Sequence, residues 1–147
     1  MEFHTLAVAH AVPTLFLVGL IWFVQQVHYA LYPAVGTEAF VAYERAHCRR
    51  ITPVVLPMML AELALAGAVC WRAPDTSTRL WALGGAVLLA VVWGATFLVQ
   101  VPCHTILEQR ADGPAMTRLL ASNWVRTTAW TLRGVVAVRL LLHDGTR

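Results

Sequence analysis

Glu44 and His47 are three residues apart, a spacing that puts a carboxylate and an imidazole on one helical face, as in metal-binding four-helix bundles. His28 and His104 stand at the same end of two other apolar segments. Together these four are candidate ligands of a transition metal (Fe, Cu or Zn), or the acid–base groups of a site without one. His28 and His104 alone would serve as axial ligands of a haem. The plainer alternative is that interfacial histidines face headgroups and bind nothing. Cys48 and Cys103 each adjoin one of these histidines, as soft ligands, a redox pair or small buried residues. With Cys70 there are three cysteines and no CxxC, which argues against a disulfide framework.

Glu62 belongs to a different level. It lies 15 residues past His47, about 22 Å along a helix, so one metal cannot hold both. Glu62 and Arg126 are the candidate catalytic residues there, with Glu62 as a proton acceptor. The structural alternative is a buried pair of Glu62 with Arg126 or Arg133 that fixes one helix against another. Gln25, Tyr29, Gln100 and Asn123 fall between the two levels and are candidates for orienting a lipid-soluble substrate. Met58 and Met59 read as packing.

The elements that must position these groups are membrane spans. The chain has 147 residues, 59% of them hydrophobic and 13% charged, with a mean hydropathy of +0.63. That places it among integral membrane proteins of one domain. The net charge of +3 rests on arginines scattered between apolar runs, which argues against nucleic acid and for anionic headgroups. Four segments are long enough to cross a bilayer: about 6–32, 52–71, 80–101 and 119–142. The expected fold is therefore an all-α, integral membrane four-helix bundle. Both termini and "RAPDTSTR" lie at one end, the terminal face. Two longer connections lie at the other, the loop face, where helices 2 and 4 extend beyond the bilayer. Pro33 and Gly36 stop the first helix, Thr37 is the expected N-cap of the second, and Asp112-Gly113-Pro114 is a turn with Pro at the first helical position.

Helical periodicity sorts the polar residues into stripes. Gln25, His28, Tyr29 and Tyr32 share a face, as do Thr96, Gln100 and His104, and Asn123, Arg126, Trp130 and Arg133. On the second helix Glu44, Cys48, Ile51, Val55, Met58 and Glu62 form one seam, provided Pro53 and Pro57 do not break it. The stripes gather toward the loop face, while the terminal halves are mostly Leu, Val, Ala and Gly. Lipid-facing polar groups are costly, so the stripes should line a shared polar chamber. Arg45, Arg49, Arg50, Arg110 and Arg118 at the loop face outnumber Arg72, Arg79, Arg139 and Arg147 at the terminal face. That places the loop face in the cytoplasm and the termini outside it.

"GLIWFVQQVHYALYPAVG", "FVAYERAHCRRITPVVLPMMLAEL", "FLVQVPCHTIL" and "NWVRTTAWTLR" resemble a set of small four-helix bacterial membrane proteins. The resemblance implies the fold and a bacterial inner membrane, and no activity. Asn123-x-x-Arg126 is similar to a motif of the anthrone-oxygenase-like membrane family, which implies oxidation of an aromatic, quinone-like substrate without a required metal. The leading expectation is thus a membrane oxidoreductase or oxygenase-like protein. The alternatives are a structural or assembly subunit of a membrane complex, with the stripes as helix-packing glue, and a small transporter or proton channel working as a homo-oligomer.

Overall fold

A computed structural model describes residues 2–142; Arg147, counted above for orientation, lies outside them. Among the described residues the chain is all helix, in four rods: α1 (3–34), α2 (Thr37–Arg72), α3 (76–107) and α4 (Gly113–Leu141). α1 is α-helical to Phe23, passes through a π-helical segment at Val24–His28 and ends in a 3-10 stretch at Tyr29–Ala34. α3 holds a second π segment, Thr96–Gln100. α4 packs along both α1 and α3, and α2 packs mainly along α1, so the α2–α3 side is the most open.

α1, α2 and α3 are long and apolar enough to cross a membrane. Large apolar side chains such as Val12, Phe23, Val87 and Leu98 face outward, as hydrocarbon requires. α4, expected as a fourth span, has 29 residues and is long enough, but it does not share that apolar composition because it carries Arg118, Arg126, Arg133 and Arg139. Two of those arginines, Arg126 and Arg133, are buried inside the bundle with Asn123 and Trp130. α4 thus carries the buried arginines and packs along α1 and α3.

Pro53 and Pro57 do not break α2, which runs unbroken for 36 residues. The expected N-cap of α2 is corrected. Thr37 is its first helical residue, Gly36 occupies the cap position, and no side chain caps it. At α4, Asp112 is the cap and its Oδ1 accepts from the Ala115 N–H at 2.8 Å, with Gly113 preceding Pro114 in the first turn. That N–H, and then Arg110, hold the Asp112 carboxyl below its usual range. The cap is therefore intact at neutral pH and is lost as acid protonates the carboxylate.

The terminal half of the bundle, expected to be mostly apolar, also holds a group of buried polar side chains. His10 and Thr14 on α1 are buried there and meet Glu62 of α2. The partner of Glu62 is Arg133, not Arg126. The Arg133 guanidinium also donates to the Gly85 carbonyl of α3 and lies 2.8 Å from His10 Nε2. One side chain of α4 thus touches all three other helices. Gly85 permits this approach, since a Cβ there would meet the guanidinium at 3.1 Å. Such a polar clamp suits a membrane bundle, where no hydrophobic force separates helix from lipid.

Candidate functional site

Above the clamp, Leu17, Ile21, Met59, Leu89, Val92 and Trp130 form a dry layer. Met59 takes the inward place expected of Met58, which is exposed. From Glu44 a period of 3.6 falls between the two positions, and packing decides. A second buried cluster, with Tyr32, Phe40, Leu107, Ala115 and Leu119, closes the loop end. Between these layers lies a cavity of about 220 Å³ with walls from all four helices. Most of its lining is apolar, and its polar side chains include Tyr29, His47, Thr52, Thr96, Gln100, His104 and Arg126.

Both π segments lie at this level. A π segment adds one residue to a turn and shifts the helical phase, and such segments recur at functional sites. Here they carry Gln25 and Gln100 inward while leaving Tyr29 and His104 one turn further on the same side.

The Tyr29 hydroxyl lies 2.9 Å from His104 Nε2, and His104 Nδ1 bonds the carboxylate of Glu44. Glu44 is fully buried and His104 is 18% exposed. This Tyr–His–Glu chain orients the imidazole from both sides, an arrangement suited to moving a proton to or from the cavity. Cys48 Sγ donates to the same Glu44 oxygen at 3.5 Å, and one donor atom each from Glu44, Cys48 and His104 lies within 4.8 Å of the others. His28 and His47, the other expected ligands, stack on each other with centroids 4.2 Å apart, and Tyr43 lies 3.4 Å from His28 Nδ1. They flank the Glu44 group without joining it. Both ring nitrogens of His104 are hydrogen-bonded, Nε2 with Tyr29 and Nδ1 with Glu44. Cys103 is buried in the loop-end cluster, and all three cysteines are free.

Gln25 and Asn123, expected to touch a substrate, do not line the cavity. Asn123 Nδ2 donates to Gln25 Oε1 at 2.9 Å, and Asn123 Oδ1 accepts from Arg126 at 3.2 Å. They hold Arg126 from behind. Gln100 does line the cavity, with its amide donating to Ser122 Oγ at 2.8 Å and its Oε1 without a partner. Arg126 is buried on the wall, its Nε is unpartnered, and among the described residues no carboxylate pairs with it. Glu62 does not share this site. Its partner Arg133 is seven residues beyond Arg126, about 10 Å deeper, with Trp130 between.

His10 and Thr14 were legible and unread. With Leu17, Ile21 and Gln25 they continue the inward stripe of α1 at 4-3-4-4 spacing. Trp93 adds a further unpartnered indole N–H to the cavity residues.

No protein-family model, no curated protein and no solved structure matches the chain.

Proposed function

We propose that the chain is a membrane-embedded oxidoreductase that binds a lipid-soluble, quinone-like or aromatic ring in the central cavity. One observation carries this reading: buried Arg126, with no carboxylate partner among the described residues, lines an apolar cavity that Tyr29 also lines. A buried cation without a counter-charge is unfavourable, and a negatively charged ring oxygen offsets it. The volume supports a ring as occupant, because an apolar cavity of about 150 Å³ accepts benzene and this one is about 220 Å³.

A dihydroxy ring supplies the anion by giving up a proton. Tyr29 relays that proton to His104, Glu44 stabilises the imidazolium, and Arg126 holds the phenolate. The electrons pass to dioxygen as acceptor. Two O–H bonds break and two C=O bonds form on the ring, while dioxygen takes two electrons and two protons to give hydrogen peroxide. In nanodiscs, the protein is expected to consume oxygen and an alkyl-hydroquinone in equal amounts, above the spontaneous rate. Tyr29→Phe is expected to lower that rate by about 10²- to 10⁴-fold. Oxygen uptake that the wild-type protein does not accelerate contradicts the reading.

A second reading is favoured by the convergence of Glu44, Cys48 and His104. Three ligands of O, S and N type suit Zn, Fe or Cu with one position left open. A metal there would take His104 Nδ1 in place of the Glu44 hydrogen bond. Stoichiometric metal in the purified protein, lost in Cys48→Ser and in His104→Ala, is the expected result; metal content indifferent to both substitutions sinks it.

A further inference from the structure

The cavity is sealed above and below and open at the side. The loop-end cluster closes it toward the connections, and the layer of Met59, Val92 and Trp130 closes it toward the clamp. Four of its lining residues are nonetheless exposed: Thr52 and Leu56 on α2, Phe97 and Val101 on α3. Leu56 is 43% exposed, Phe97 58% and Val101 47%. α2 and α3 meet below this level through Val69 and Ala82, and above it through Glu44 and His104. Between those contacts they part, where α3 passes through its π segment and α2 presents Pro53 outward.

The gap lies at the level of the bundle where the flanking helices are apolar. Exposed Arg49 and Arg50 mark a polar boundary on α2, and Leu56 lies about 9 Å below Arg50 along the helix. Both edges of the gap belong to helices apolar enough to span. In a bilayer, this placement would give a molecule a route to the cavity from the acyl-chain layer, just beneath the headgroups.

From this we infer that the ligand is a tailed amphiphile: an oxygenated aromatic ring seated beside Arg126, with a hydrocarbon tail that leaves between Leu56 and Val101 and stays in the bilayer. The inference rests on the proposed ring-binding function and narrows its substrate class to membrane-resident rings of the isoprenoid-quinone kind. The cavity volume fits the ring and leaves no room for the tail, so the tail must pass the gap. The unpartnered Gln100 Oε1 and the Trp93 indole N–H give the ring polar partners besides Arg126.

The test uses the full chain in nanodiscs and two probes, a hydroxynaphthoquinone without a tail and the same ring with a decyl tail, both expressed per lipid. Binding is read from quenching of tryptophan fluorescence, to which Trp93 and Trp130 at the cavity contribute. The two probes are expected to bind equally, because the tail leaves lipid for lipid. Val101→Trp narrows the gap and is expected to slow binding of the tailed ring by about tenfold or more, whereas Leu98→Trp, at a lipid-facing position outside the cavity, leaves it unchanged. If the bare ring binds and is lost in Arg126→Gln, but the tailed ring is rejected or Val101→Trp has no effect, the side route is overturned and ring binding stands. If neither probe binds, ring binding itself fails and the inference falls with it.

Discussion

Replacing Arg133 with leucine is expected to lower the stability of the folded bundle by about 3–5 kcal/mol, the cost of stranding one partner of a buried ion pair. The substitution leaves Glu62 fully buried beside Thr14 and His10, with its cation gone. It also strips the Gly85 carbonyl of a donor and removes the contact of α4 with three helices at once. The double variant Glu62→Leu with Arg133→Leu is expected to recover much of the loss, because apolar replacement of a whole buried pair is often neutral or stabilising. Thermal unfolding in detergent, followed by circular dichroism, reads both effects. A single variant as stable as the wild type contradicts the clamp.

Arg126→Gln is expected to do the opposite. Arg126 has Asn123 as its hydrogen-bond partner and no counter-charge among the described residues. Removing a buried cation at this depth relieves a desolvation cost instead of breaking a pair, so the variant is expected to be at least as stable as the wild type. Its loss appears in binding. A hydrogen bond to a charged group contributes about 1.5–3 kcal/mol, so the affinity for an anionic ring is expected to fall by about tenfold to a hundredfold. Stability kept while function is lost separates a binding residue from a packing residue. The two arginines stand seven residues apart on one face of α4 and are expected to give opposite signatures.

That contrast is also where the sequence stops being legible. Periodicity places Arg126 and Arg133 on the same inward stripe, and both are buried. It does not select the one that meets Glu62, because that depends on the relative heights of α2 and α4. The four helices themselves were readable from apolar runs and from the Gly, Pro and Asp residues between them. So were the stripes carrying Tyr29, Glu44, Gln100, His104 and Asn123. The two π segments were not readable, since nothing local in "VQQVH" or "TFLVQ" distinguishes a π turn from an α turn. The second lies within α3, which runs past the expected end near Val101 to Leu107, and it holds Gln100 at the cavity. His10 was hidden for a different reason. Its period with Thr14 and Gln25 places it inward, but its role comes only from Glu62 and Arg133 on other helices.

The central claim is that the cavity holds a ring whose charged oxygen lies against Arg126. Titration of an ionised hydroxynaphthoquinone, and of the same ring without its hydroxyl, into the wild-type protein and Arg126→Gln tests it most directly. The wild-type protein is expected to bind both rings saturably and to prefer the anion. Arg126→Gln is expected to lose that preference while melting no earlier. Equal preference for the anion in both proteins contradicts the claim.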